Sequence, residues 1–592
     1  MTAEEDAAAS APPANRFGVA APFGRLFFIW LVTIAFLSSA VTWALRLGLQ
    51  GTESYFLIHQ DLPVLGLMLL IVWALGALTS STPIAAGISA RAMRGLVLAL
   101  AGLVAIVGVV GVQVVFGGYT LSLDEFMANF DARIFASGQL MAKIPAAWRD
   151  FVPALQPMFT LPVPDHAYWA SSYLPVNAAL RAMALEVRLE PLVNPLLSAF
   201  SVVAVWAIAR RMWPERPGLA LIAAALLASS AQLIVMGMTA YAMPPHLAFN
   251  LAWLWLFLRG GRLGHLGAAV VGFLAMGIHQ LIFHPLFAGP FILQLWLDRR
   301  WALAVLYTAA YGVFALFWIA YWPVAMTLTG VGLSAVHTTG PTLFFAIVRQ
   351  LFGSVNANNL GQMAQSLVRF VSWQNPLTAP TAIIGAFAAW RAGGALRPLL
   401  LGVLLTLVVM LVIEPTQVHG WGYRYMHGFL GSVCLIAAWS WAQLTDTLAR
   451  EGRAKAMNAL ALACAISLAV LTPLRAWQAW SYVRPYARAN AQIQDAKSDV
   501  VIIDHDSDLL FDMGTVTRND PLLVRPPKVM ALAAMNETAV RRLCASGLRI
   551  EVFNGRAAAA DGVDVVHNPT PGRYAASLRA LMAQLKCGAP IG

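Results

Sequence analysis

The length of the uncharged runs decides most about what this chain can become. Residues 95–116, "GLVLALAGLVAIVGVVGVQVVF", hold no charged side chain and one amide, Gln113. About 20 such residues in helical form cross the hydrocarbon of a bilayer, where each backbone N–H and C=O must find its partner within the segment. Windows of this kind recur, and about thirteen spans are expected on the length rule. They fall near 26–46, 62–79, 95–116, 191–209, 217–237, 241–258, 265–280, 282–297, 301–323, 378–390, 398–414, 427–446 and 456–474. Pro285 and Pro290, within and after "GIHQLIFHP", leave 265–297 open as two helices or one broken helix. A chain of 592 residues with 59% hydrophobic and 11% charged side chains fits the same class, a mostly α polytopic membrane protein.

The net charge of +11 does not indicate nucleic acid, because the basic residues sit in short clusters between apolar runs. With the N-terminus inside, those clusters fall on one side. They include Arg91 and Arg94, Arg210, Arg211 and Arg216, Arg259 and Arg262, Arg299 and Arg300, Arg391 and Arg397, and Arg450, Arg453 and Lys455. Residues 1–25 then read as a disordered cytoplasmic tail and 26–474 as the transmembrane domain. Three larger segments fall outside: 117–190, 324–377 and 475–592. Ten of the eleven histidines also fall on the outer side, which suggests a functional cavity there.

Against this background the stretch "LSLDEFMANFDARIFASGQL", 121–140, is unusual for its acids. Helical spacing brings Asp124 and Asp131 to one face, two turns apart, with Phe126, Phe130 and Ile134 on another, as in an amphipathic helix lying on the outer membrane surface. A partly desolvated carboxylate at that position suits a general base acting on an acceptor hydroxyl or amine. Asp124 and Glu125 read equally well as N-terminal caps favoured by the helix dipole. Spacing alone leaves both readings open.

The order of "LDEFMANFDARIFASGQL", a proline-rich loop, "YLPVNAALRAMAL", "AAALLASSAQLIVMGMTAYAMPPHLAFNLAWLWLFLR" and the Arg-Tyr of "HGWGYRYMHG" resembles the integral-membrane glycosyltransferases of the GT-C fold. The branch is that of protein mannosyltransferases and lipid A aminoarabinose transferases, and the match covers roughly 95–446. The resemblance implies a sugar donor on a polyprenyl monophosphate, a lipid, glycan or protein acceptor, and a bacterial inner-membrane location with the chemistry on the periplasmic side. It implies inverting direct displacement with Asp124 as base and Glu125 and Asp131 beside it. Arg424 is the candidate for the leaving phosphate, through its bidentate fork, with Tyr425 adding a hydrogen bond. His279, His419, Arg181 and His246 are further candidates for substrate contacts. Two spans precede the matching region. His246 stands where relatives often carry a second acid, and His279 where they often carry a lysine.

No cofactor is required by this chemistry. A divalent metal remains an alternative, drawing on His279, His284, His419 and His427 with first-loop carboxylates, although their spacing matches no standard ligand motif. Residues 341–353, "PTLFFAIVRQLFG", read as a surface helix or a plain loop. After 475 the composition changes. "DVVIIDHDSDLLFD", "GLRIEVFNG" and "VDVVHNP" look like strands alternating with helices such as "ETAVRRLCASG", a small periplasmic α/β domain in which Cys544 and Cys587 are free to pair. A transporter, flippase or polymerase of lipid-linked glycans would share the many spans and the outer cavity, and stands as the alternative function.

Overall fold

A computed structural model describes residues 21–46, 52–82, 88–156, 158–331, 357–413, 417 and 419–591. The expected surface helix at 341–353 and most of the N-terminal tail lie outside these residues. A helix occupies every window expected to span. Among the described residues, eight helices are long and apolar enough to cross a membrane, or nine if Pro217–Ala228 and Ala231–Gly237, bent by 56°, form one span. The bend falls at Ser229 and Ser230, where the Ser230 side chain accepts from Leu233 N and starts a new helix. Met243–Arg259, Gly261–Met276, Phe283–Leu297 and Thr378–Ala392 are shorter. At 1.5 Å per residue they rise about 23–26 Å, less than the roughly 30 Å of hydrocarbon, so thirteen full crossings do not follow. The 265–297 region is two helices, with Pro290 inside the second.

Some of the connections expected to share a face touch one another. Arg211 donates to Leu258 O and Arg259 O, Arg216 pairs with Asp446 at 2.6 Å, and Asn458 donates to Ser80 O and Thr82 O. The last long helix runs from Arg450 to Gln494, well past the apolar window that ends at 474. Beyond it stands a four-stranded sheet in the order Lys528–Ala531, Val500–Asp504, Ile550–Asn554, Ala589–Pro590, all parallel. Lys528–Ala531 and Ala589–Pro590 carry no alternating pattern and were not among the expected strands. Cys544 and Cys587 are disulfide-bonded.

The first-loop segment is not laid on a membrane surface. Met127, Phe130 and Ile134 pack in one core with Phe151 and Trp169 of the same loop and with Val500, Ile502 and Met530 of the sheet. The α/β region thus offers the aromatic face of this helix more buried apolar area than an interfacial position would.

Candidate active site

The chain leaves its third long helix through Gly117 and Gly118, both at positive φ, and is then clamped. Arg518 of the C-terminal region donates to Thr120 O at 3.1 Å, Leu121 O at 2.8 Å and Gly514 O at 2.5 Å. Ser122 caps the helix Leu123–Ala136 by a capping box. Its hydroxyl accepts from Glu125 N at 3.2 Å, and Glu125 Oε2 accepts from Ser122 N at 3.2 Å. Glu125 Oε1 accepts from Ala240 N, also at 3.2 Å. Both oxygens of Glu125 are therefore spent on backbone, and burial pushes its carboxyl up to about 7.

Asp124, one residue earlier and rotated by about 100°, points elsewhere. Its Oδ1 accepts from the Tyr173 hydroxyl and its Oδ2 from Arg424 Nη1. Burial opposes its ionisation, but Arg424, His279 and Tyr173 outweigh that cost and hold the carboxyl below its ordinary range. Asp131 shares this face, as the spacing implied, yet it meets a different partner. It accepts from Ser171 N at 2.9 Å and from the Ser171 hydroxyl. Desolvation raises it to about 7. Asp124 and Asp131 together fasten the segment Ser171–Tyr173 across the helix.

Arg424 sits in a loop that is fixed from three directions. Its backbone N donates to Gln417 Oε1 at 2.6 Å, Gln417 Nε2 donates to Gly422 O at 2.6 Å, and Gln232 Nε2 donates to Tyr423 O at 2.9 Å. Gly422 has φ +72°, and the Gln232 amide lies where a Cβ would be, so no other residue fits. The guanidinium also donates through Nη2 to the Tyr425 hydroxyl at 3.1 Å and lies 5.6 Å from the Tyr241 ring centre. It is an ion-pair partner buried with Asp124, not an interfacial arginine reaching for headgroups.

Around this pair the aromatic rings form a chain. Tyr173 stacks on His279 at 4.0 Å, Phe283 stacks on Tyr425 at 5.9 Å, and His246 meets Phe283 at 5.1 Å. Among the described residues, no ring nitrogen of His246, His279 or His427 has a hydrogen-bond partner. His279, which acts on Asp124, is thus a buried imidazole with open nitrogens beside the Asp–Arg pair, and His246 stands one ring further away across Phe283.

Two expected members stand apart. Arg181 donates to Glu190 at 2.5 Å and lines a separate cleft of about 40 Å³ with Glu125 and Asn129. His419 lies 3.0 Å from Asp512 of the C-terminal region. Of the histidines offered as metal ligands, His284 is engaged by Asn250 at 2.8 Å and Tyr311 at 2.7 Å, and His419 by Asp512. Among the described residues no group of three or more His, Cys, Asp or Glu is arranged to hold a metal ion. Sequence reasoning missed Tyr173, Gln232, Gln417 and Asp512. Tyr173 begins the quoted "YLPVNAALRAMAL", where an aromatic hydroxyl beside an acidic loop was the available signal.

No known protein family and no curated protein matches the sequence. Among solved structures, ArnT from Cupriavidus metallidurans in the apo state is 12% identical over 74% of this chain and 86% of its own, with a TM-score of 0.48. ArnT from the same organism bound to undecaprenyl phosphate is 14% identical over the same shares, again with a TM-score of 0.48.

Proposed function

We propose that this protein is an integral-membrane glycosyltransferase that moves a sugar from a polyprenyl monophosphate to an acceptor at the outer face of a bacterial inner membrane, with its N-terminus cytoplasmic. The observation that carries the reading is the buried pair of Asp124 with Arg424, completed by the Tyr173 hydroxyl. A carboxylate held ionised out of bulk water suits proton removal, and a guanidinium at the same point suits a phosphate. When the donor phosphate binds, Arg424 exchanges one anion for another and frees an oxygen of Asp124. The acceptor hydroxyl then attacks the anomeric carbon, its proton passes to Asp124, and the bond from that carbon to the phosphate oxygen breaks. The phosphate leaves on the opposite face, so the configuration inverts. Tyr425 supports Arg424, and His246, His279 and His427 offer hydrogen bonds to the sugar. Glu125 and Asp131 hold the helix, and Asp124 acts alone as base.

The test is sugar transfer by the purified protein, given polyprenyl-phosphate sugars and candidate acceptors. Asp124→Asn should lose transfer by about 10²–10⁴-fold, the worth of a positioned general base, while still folding, with about 1.5–3 kcal/mol of stability lost from the weakened hydrogen bond to Arg424. Arg424→Lys should raise the KM for donor, since a point charge replaces a fork. Full activity of Asp124→Asn refutes the base. Movement of labelled lipid across the bilayer without sugar transfer favours the transporter instead.

A further inference from the structure

A cleft of about 420 Å³ opens where the last long helix meets the C-terminal region. Tyr55, Ser481, Tyr482, Tyr486, Gly562 and Asp564 line it. Two spans set its height. The apolar run of the last helix ends before Arg475. Trp477 is then 60% exposed, and the Arg484 guanidinium lies 4.8 Å from the Trp480 ring, the pattern of an interfacial belt. Ser481, Tyr482 and Tyr486 follow roughly 6–14 Å further along the axis, counting 1.5 Å per residue from Trp477. Tyr55 stands at the very start of the apolar helix Ser54–Leu78. The cleft therefore lies at headgroup height rather than among acyl chains.

Its chemistry is that of a sugar site. The three tyrosine rings form one wall, with Tyr482 at 5.5 Å from both Tyr55 and Tyr486; Tyr482 and Tyr486 are themselves buried, and Tyr55, half-buried, is the ring most open to the cleft. Ring faces accept the C–H face of a pyranose, while Ser481 and Asp564 offer hydrogen bonds to its hydroxyls. Ligand clefts run from about 300 to 1,000 Å³, so this one has room for one or two hexose rings. A phosphate fits poorly, because Asp564 faces the site and the adjacent Arg488 donates to Asp561 O at 2.6 Å. The wall continues toward the candidate active site. Tyr482 lies 6.3 Å from His419, His419 meets Asp512, Asp512 accepts from Gly514 N at 2.8 Å, and Gly514 packs on Leu123, the neighbour of Asp124.

We propose that this cleft binds the sugar headgroup of a glycolipid acceptor in the outer leaflet and that the C-terminal region exists in part to form its second wall. That the sugar is an acceptor rests on the transferase reading; the binding itself does not. The experiment is binding of glucosyl diacylglycerol to the full chain in nanodiscs of phosphatidylethanolamine and phosphatidylglycerol, followed by tryptophan fluorescence. Tyr482→Ala and Asp564→Asn should each weaken binding by about tenfold, through loss of the ring that supports Tyr55 in the first and of a hydrogen-bonding partner in the second, and Tyr482→Phe should restore most of it. Asp124→Asn should bind like the wild type. Equal binding of sugar-free diacylglycerol, or wild-type binding by Tyr482→Ala and Asp564→Asn alike, overturns the proposal. Sugar-dependent binding in a protein that transfers nothing keeps the cleft and removes the transferase. In an active protein, these two variants should raise the KM for acceptor and leave that for donor unchanged.

Discussion

Replacing Asp61 by alanine should cost about 3–5 kcal/mol of folding free energy, the usual loss when one partner of a buried charge pair is removed. Asp61 is 1% exposed, and it faces Arg475 and Arg369, which are also buried. Its Oδ1 accepts from Ser372 Oγ and Trp373 Nε1, each at 2.9 Å, and lies 3.1 Å from Arg475 Nη2; its Oδ2 lies 4.0 Å from Arg369 Nε. The arginines donate further to Gln60 O, Ser372 O and Gly420 O, and lie over Trp373 and Phe56. One carboxylate thus joins the second long helix to Ala357–Ser372 and to the last helix, and through Arg369 steadies the loop that carries Arg424. Asp61→Asn keeps an oxygen for Ser372 and Trp373 and loses the charge, so about 2–3 kcal/mol is expected from the weakened charged hydrogen bonds. The double variant Asp61→Asn with Arg475→Met should recover much of the loss, since an apolar replacement removes one uncompensated cation. Unfolding by sodium dodecyl sulfate in mixed micelles, read by tryptophan fluorescence, measures all three. If Asp61→Ala unfolds within about 0.5 kcal/mol of the wild type, the range of an ordinary surface change, then this cluster does not join the helices.

Glu125 and Asp131, both raised to about 7, keep protons in the fold that the unfolded chain has released. Their contribution is full below about pH 4 and is lost as pH rises through about 7, so the melting temperature should fall from about pH 5 to 8; Glu125→Gln should flatten the slope, and a rise across that window would contradict the assignment. Asp124, held low, has the opposite sign and loses its contribution only as pH falls below its ordinary value of 3.8. Tyr173→Phe removes a hydrogen bond that favours ionised Asp124, so the acid limb of the transfer rate should move to higher pH; an unmoved limb counts against Asp124 as the titrating base. Arg518→Met deletes the clamp on Thr120, Leu121 and Gly514, should cost about 2–4 kcal/mol in the same micelle titration, and should speed protease cleavage near residue 120; unchanged cleavage refutes the clamp.

How far the site could be read in advance depended on how local its reasons are. The positions of the apolar helices were legible because crossing a bilayer is a rule of length and polarity; the acids at 121–140 and Arg424 drew attention because charge is scarce there, and the family resemblance then singled out Asp124. The partners that give those residues their state were not legible, since 49 residues separate Tyr173 from Asp124 and 300 separate Arg424 from it. Asp61 meets Ser372 across 311 residues and His419 meets Asp512 across 93, pairings that only the packed bundle brings about. The choice between cap and base at the start of the first-loop helix shows the boundary most clearly. A capping box needs an acid three residues after its serine, and Ser122 with Glu125 meets that rule, so Glu125 is consumed by the first turn whatever surrounds it. Asp124, one position earlier, cannot reach those backbone donors and is turned toward Tyr173 and Arg424. The carboxylate left over by local capping is thus the one that meets Arg424, a distinction that follows from helical geometry once the serine is recognised as the cap.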